Sequence, residues 1–332
     1  MKIVTWNAGF GDRAGLLIND HMVDVAAAYA AAHRHGVGTL PALPSSVLEL
    51  LQLEAAGMAD LHALHAWLQD SSNAAAHQAP AEAVLMSPVP RPTSMRDGYA
   101  FRQHVEAARR NRGLEMIPEF DEIPIFYFTN HQAVFGPGPI AVQQKHLQQL
   151  DFELEVAIVM GKKGKNIPAA SADDYIAGFM VMNDWSARAL QMHEMKLNLG
   201  PAKGKDFATA LGPWLVTPDE LAAKRIATPH GDTYDLTMRT VINGKDVALG
   251  NVKDMSWTFA QIIERASYGV TLYPGDVIGS GTCGTGCFLE LNGSKVYDPA
   301  WWLGVGDVVT CSIDMLGDLT NTVVLEPEDA KA

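Results

Sequence analysis

Cysteine is the first scarcity. Only Cys283, Cys287 and Cys311 occur in the chain, too few and too clustered for a disulfide framework, so a reducing compartment is expected. The Cys-x3-Cys pair lacks the second pair that a structural zinc site requires. Long apolar runs are missing as well. No segment approaches the roughly 18 apolar residues of a membrane span, and the opening MKIVTWNAGFGDR has neither a basic n-region nor an apolar h-region. We therefore expect no membrane span, no secretory signal and a cytoplasmic protein. Positive charge is the third deficit. Lys and Arg total 25 against 38 Asp and Glu, a formal charge of −13, which argues against a nucleic-acid partner, since phosphates select a basic footprint.

What remains is an ordinary globular composition, 48% hydrophobic and 19% charged over 332 residues, enough for one large domain with a smaller companion. Strand-like pieces near 2–6, 13–18 and 21–25 precede helical stretches at 45–52 and 54–69, where Leu48, Leu51, Ala55, Met58 and Leu61 recur at helical spacing. Residues 1–80 read as a small N-terminal module, and SSNAAAHQAPAEA (71–83), small and aperiodic, reads as a linker. From 84 to 328 the texture changes to short strands, Gly/Pro turns and few helices, with helices expected at 101–112 and 256–267. YPGDVIGSG and GVGDVVTCS each set Gly-Asp before a β-branched run, a turn-then-strand phrase used twice. The fold class expected is α+β, β-rich, with one mixed-topology domain over 84–328 and no fixed-period repeat.

The segment DFELEVAIVMGKKG, residues 151–164, raises a charge problem. Period-2 alternation puts Asp151, Glu153 and Glu155 on one strand face, where like charges repel and bare carboxylates are costly to bury. Capping does not account for two carboxylates in mid-strand, although salt bridges or a wet sheet face would. Asp184 follows the apolar run in FMVMNDWSAR, a strand end of the kind that delivers functional residues, and Asp97 in SMRDGYAFRQH stands before an expected helix, where a helix cap is the bland reading. Together, Asp97, Glu153, Glu155 and Asp184 would make an all-oxygen site suited to Mg²⁺, Ca²⁺ or Mn²⁺ and not to zinc. Such an ion would answer the charge problem and act as a Lewis acid on a carbonyl or enolate oxygen.

Other side chains gain meaning beside that cluster. His104, seven residues beyond Asp97, is a candidate general base, and a base needs an orienting acid. Glu290, in the strand-like run GTGCFLEL, is one candidate for it. Lys205, after Gly204 in GPAKGKDF, stands where glycine-rich turns allow close approach to a ligand. Arg188 and Gln191 fall on one side of a helical turn and could donate to an oxyanion. His33, His35, His62 and His65 read as solvated or helix-surface residues. GSGTCGTG lacks the Gly-Lys-Ser/Thr ending of a phosphate loop, and the Gly-Lys-Asp after Asn243 reads as a hairpin turn.

The run Asp97, Tyr99, Arg102, Gln103 and His104, then Glu153-Leu154-Glu155, then MNDWSAR with Asp184, GPAKGKDF with Lys205 and SGTCGTGCFLEL closely resembles the fumarylacetoacetate hydrolase family, in the same order across residues 84 to about 325. The resemblance implies a mixed β-roll catalytic domain, a small N-terminal β-containing domain and a homodimer. It implies metal ligation by Asp97, Glu153, Glu155 and Asp184, a water-activating His104 held by Glu290, and Arg188, Gln191 and Lys205 around the developing oxyanion. Tyr99, Tyr127 and Thr282 match substrate-contacting positions. The resemblance also implies that one of Arg109, Arg110 and Arg112 binds a substrate carboxylate, with Arg112 the one expected. His104 on the Asp97 segment points to the fumarylacetoacetase branch, whose substrate fumarylacetoacetate gives fumarate and acetoacetate in tyrosine breakdown. FYFTNHQAVFGPG departs from that branch, so an acylpyruvate or fumarylpyruvate hydrolase, a 2-oxo-4-enoate hydratase or an oxaloacetate decarboxylase is the alternative, each acting on a small dicarbonyl acid.

Overall fold

The computed structural model describes residues 1–327, so the last residue of the expected 84–328 span lies outside the described part. An 11-stranded sheet runs in the order His21–Asp24, Asp12–Ile18, Lys2–Asn7, Thr209–Val216, Ile176–Asp184, Leu154–Met160, Val277–Gly279, Met95–Gly98 and Phe126–Phe128, with Val84–Leu85 and Val134–Phe135 attached at its side. Along this path only Val277–Gly279 and Met95–Gly98 run parallel. A second sheet of five strands orders Lys245–Asn251, Thr237–Ile242, Val308–Ile313, Gly317–Leu325 and Gly138–Val142. The strand-rich α+β class expected from the sequence is the one observed.

Side-chain alternation divides the core into two layers. On the central strand, Leu154, Val156, Ile158 and Met160 pack with Ile242, Val309 and Val323 of the five-stranded sheet. Ala157 and Val159 turn the other way and join Met180, Met182 and Leu211 against Tyr29, Leu61 and Leu64 of the N-terminal helices. The N-terminal segment, read from sequence as a small module, therefore adds strands to the large sheet and covers its second face. Lys2 and Ile3 pair with Val216 and Leu215.

Several elements follow directly from local chemistry. The expected helices appear as Val47–Gln52, Glu54–Trp67, Arg102–Arg110 and Phe259–Ser267, the last entered through a capping box of Thr258 and Gln261. The repeated Gly-Asp phrase forms the same turn twice. Asp276 accepts from the Tyr273 amide at 2.9 Å and Asp307 from the Gly304 amide at 2.7 Å, each three residues back. Helix Val25–His33 was not anticipated. It is alanine-rich with no apolar stripe to give a period, but Asp24 caps it by accepting from the Ala27 amide at 2.7 Å. The presumed linker likewise contains a short helix, Ser71–Ala75, capped by Asp70. No helix among the described residues is long and apolar enough to cross a membrane.

Candidate active site

Strand register assembles the acidic cluster. The even-numbered side chains Met180 and Met182 continue to Asp184, the odd-numbered Ala157 and Val159 lead back to Glu155, and Met95 leads to Asp97, all on the face that packs against the N-terminal helices. Glu155 lies opposite Met182, while Gly279 lies beside both Ala157 and Asp97. Gly279 leaves the space: a Cβ there would stand 2.5 Å from Asp97 Oδ1 and 3.0 Å from Glu155 Oε2. The apolar face thus ends in carboxylates. Asp97, Glu153, Glu155 and Asp184 each place an oxygen within 4.8 Å of the others, and all four are buried. The capping alternative for Asp97 fails, because Phe101 precedes the helix and no side chain caps it.

The protein compensates this charge only in part. Lys205 Nζ donates to Glu153 and, at 2.7 Å, to Asp184 Oδ2. Arg188 donates from Nη2 to Glu153 Oε1 at 2.7 Å and from Nε to Asp151 Oδ2 at 2.8 Å. The Gly281 amide is shared between Asp97 Oδ1 at 3.0 Å and Glu155 Oε2 at 3.1 Å, and Tyr127 Oη donates to Asp184 Oδ2 at 2.7 Å. Asp184 Oδ1 is buried with no partner at all. Five buried carboxylates, counting Asp151, face only Arg188 and Lys205.

The protonation equilibria divide along the same line. Burial, followed by the Asp184 charge, pushes Asp97 up to about 7. Burial and the facing Asp97 raise Glu155 well above the usual carboxylate range, and burial raises Asp184 despite Lys205. Burial would also raise Glu153, but Lys205 and Arg188 override it and hold that carboxylate below its ordinary value. Burial and then Asp184 lift the Tyr127 hydroxyl, so it stays a donor. An all-oxygen donor set with an orphaned carboxylate oxygen and excess buried negative charge fits a hard divalent cation. Asp97, Glu153, Glu155 and Asp184 are the residues that would hold it.

A second unit stands next to the cage. His104, on helix Arg102–Arg110, places Nδ1 2.6 Å from Glu290 Oε2, and both are buried. Glu290 Oε1 also accepts from the Thr285 amide at 2.9 Å. A carboxylate at Nδ1 requires the proton there, which leaves Nε2 as the acceptor. Tyr99 sets its ring edge-on to His104, centroids 5.9 Å apart. Cage and dyad open into one cavity of about 580 Å³, whose lining also includes Thr282, Gln191 and Arg112. Of the three arginines after His104, Arg109 is turned to the Glu115 carbonyl and only Arg112 lines the cavity.

Three readings need correction or extension. Asp151, read from the alternation as a third carboxylate on the strand face, is fully buried and points elsewhere. The chain leaves regular strand at Phe152–Glu153, so Asp151 pairs with Ser186 in a separate two-stranded piece, and its carboxylate accepts from Arg188 and from the Phe288 and Leu289 amides at 2.7 and 2.9 Å. Glu290, expected in a strand, lies on helix Phe288–Gly293, because Asp151 supplies from a distant segment the cap that the local sequence lacks. Arg188, expected at the oxyanion, commits Nε, Nη2 and Nη1 to Asp151, Glu153 and Gln191, so it ties the cage to its support.

Sequence reasoning missed Gly281, Cys287 and Glu194. Gly281 has φ of +80° and any Cβ would strike the Gly98 carbonyl at 2.5 Å, so the glycine-rich GSGTCGTG serves close backbone approach to carboxylates. The glycines themselves were the available signal. Cys287 lies within 4.8 Å of ligand atoms of His104 and Glu153, and burial and Asp151 raise its thiol pKa. Glu194 accepts from the Ala202, Lys203 and Gly204 amides at 2.9–3.1 Å and so shapes the loop that carries Lys205.

Residues 93–324 match the family described as fumarylacetoacetate (FAA) hydrolase C-terminal. The human protein named oxaloacetate tautomerase FAHD2A, mitochondrial, is 37% identical over 202 residues, 60% of this chain and 59% of that protein. The chain thus spans about three fifths of the length of the curated relatives it matches. Among solved structures, a fumarylacetoacetate hydrolase from psychrophilic Exiguobacterium antarcticum aligns with a TM-score of 0.70 at 23% identity, over 98% of this chain and 100% of that one. A maleylpyruvate hydrolase from Sphingobium sp. SYK-6 aligns at 0.65 and 20% identity with the same coverage. These two speak for the fold. The family match and the human relative do not single out the fumarylacetoacetase branch. This chain belongs to the fumarylacetoacetate hydrolase family.

Proposed function

We propose that the protein is a divalent-cation-dependent enzyme acting on an enolisable 2-oxo acid that carries a second carbonyl group, with hydrolysis of an acylpyruvate-type carbon–carbon bond as its reaction. The observation that carries this reading is the His104–Glu290 pair at 2.6 Å beside four buried carboxylates. His104 Nε2 accepts the proton of a water as that water attacks the acyl carbonyl, and Glu290 steadies the imidazolium that forms. The carbon–carbon bond then breaks with its electron pair on the pyruvate side. His104 returns the proton to that carbon, giving a carboxylic acid and pyruvate. A hard cation such as Mg²⁺, Mn²⁺ or Ca²⁺ held by Asp97, Glu153, Glu155 and Asp184 would supply Lewis-acid stabilisation to the developing enolate. Lys205, Gln191, Tyr99, Thr282 and Arg112 line the cavity; in this reading Gln191 and the remaining N–H of Lys205 would donate to the oxyanion, and Tyr99, Thr282 and Arg112 would contact the acid.

Fumarylacetoacetate, the substrate first suggested by the sequence, gives way to acylpyruvates because the relatives favour the wider family. Keto–enol exchange of oxaloacetate is a second reading, motivated by the 37% identity to the human protein of that name. It uses the same base and the same ligands. A homodimer accompanies both readings, to be checked by sedimentation. Proton NMR of acetylpyruvate and of oxaloacetate in D₂O with Mg²⁺ separates them, since hydrolysis yields acetate and pyruvate whereas tautomerisation only exchanges the C3 protons. His104→Ala should lower the rate by about 10³-fold with cation affinity retained. Equal turnover in that variant would refute the assignment of the base.

A further inference from the structure

The cavity has two unlike halves. Its inner half is the cage and the dyad. Most of the remaining wall is hydrocarbon, made by Ile125, Phe126, Met192, Met195, Pro201 and Leu289, with Asn111 and Arg112 as its polar members beside Tyr127. We propose that this wall is an acyl-chain subsite, selecting 2-oxo acids whose second carbonyl bears an extended hydrocarbon tail over short diacids such as oxaloacetate. The proposal rests on the enolate chemistry argued above and adds the substrate class to it.

Charge placement disfavours the short diacid as the best-fitting substrate. Lys205 and Arg188 are committed to Glu153, Asp184 and Asp151. Arg112 is the other cation on the lining; it lies exposed in the turn after helix Arg102–Arg110, and its Nε donates to the Ala108 carbonyl at 3.0 Å. A second carboxylate lying along the methionine side would lose its hydration, and the lining guanidinium or ammonium not already paired with a carboxylate is the exposed Arg112. A tail of methylenes meets the opposite situation. Met192 and Met195 are 40% and 43% exposed, and Leu197 and Leu199, the next apolar residues along the chain, are 82% and 95% exposed. A bound chain would remove this surface from water, and unbranched thioether side chains adapt to tails of different length.

The test is a ladder of substrates and a ladder of ligands. Acetyl-, butanoyl- and hexanoylpyruvate should show kcat/KM rising about fourfold per added methylene, the equivalent of about 0.8 kcal/mol each, and oxaloacetate should fall below hexanoylpyruvate. Calorimetric Kd values for pyruvate, 2-oxohexanoate and 2-oxooctanoate, which lack the scissile bond, should tighten by the same factor. Met195→Lys, at an exposed position that does not threaten folding, should flatten both ladders and improve fumarylpyruvate. A flat or falling ladder with acetylpyruvate or oxaloacetate still turned over overturns the subsite and leaves the proposed chemistry standing. Preference for fumarylpyruvate that disappears in Arg112→Leu overturns it also, in favour of a distal carboxylate site. If no 2-oxo acid is turned over, the proposed function fails, and the Kd ladder alone decides the subsite.

Discussion

Two regions of this molecule bury carboxylates and treat them in opposite ways. In the N-terminal region Asp60, 3% exposed, accepts from Tyr29 Oη at 2.5 Å, from the Leu40 amide at 2.7 Å, from the Thr39 amide at 2.9 Å and from the Thr39 hydroxyl at 3.2 Å. Burial alone would raise this acid, but the Tyr29 bond and the amides override it and its pKa lies below the ordinary value. In the cage, by contrast, Asp97 and Glu155 share one amide, Asp184 keeps an empty oxygen, and Asp97 is pushed up to about 7. The first carboxylate is satisfied by the fold and holds the fold together. The second group is left for something the chain does not provide.

Neutralising substitutions should therefore have opposite consequences in the two places. The largest expected effect is on activity: Glu155→Gln should lower kcat/KM by about 10³-fold or more through loss of the cation, whereas Asp60→Asn should leave it within about twofold, since Asp60 touches no part of the cavity. Next comes stability. Asp60→Ala strands Tyr29 and the Thr39 and Leu40 amides, and a loss of about 3 kcal/mol is expected in urea unfolding. Glu155→Gln should instead raise the stability of chelator-treated protein by about 1 kcal/mol, because a side-chain amide can donate to Asp97 where two acids now face each other. A destabilised Glu155→Gln protein under chelation would break the comparison.

A pH effect sharpens it further. Asp97, Glu155 and Asp184 are all raised, so in chelated protein the native state holds protons that the unfolded chain releases between an ordinary carboxylate value of about 4 and roughly 7. In that window the unfolded state binds fewer protons, and stability falls as pH rises. Thermal midpoints measured in chelator should decline from about pH 5 to about pH 7, and saturating Mg²⁺ should flatten the decline. Asp60 runs the other way. Its contribution is present above its unfolded value and disappears only as pH falls through its lowered one. The smallest effect is expected at Glu194→Gln, where the loop amides keep an oxygen acceptor and kcat/KM should change by no more than about threefold.

Period and strand ends made the cage legible in the sequence. The Glu153/Glu155 alternation and the Asp184 strand end each have a local cause, and Asp97 and His104 follow from one short segment. What stayed hidden depends on contacts across the fold. Asp151 looks like a third member of the acidic face until the strand breaks at Phe152, and only the three-dimensional structure shows it reaching the amides of Phe288 and Leu289, 137 and 138 residues away. The helical state of Glu290 depends on that same remote cap, so FLEL reads as strand when taken alone. Helix Val25–His33 was missed for a different reason, since alanine stands on both its buried and its exposed face and so gives the sequence no apolar–polar contrast.

The central claim is that four carboxylates converge because they bind one hard divalent ion. Electron paramagnetic resonance of a Mn²⁺ titration of chelator-stripped protein tests it most directly, by counting bound ions as the free six-line signal is lost. One Mn²⁺ should bind per chain, displaced by excess Mg²⁺, with binding abolished in Asp184→Asn and retained in Asp60→Asn. Binding that survives Asp184→Asn unchanged, or no binding by the unmodified protein, would contradict it.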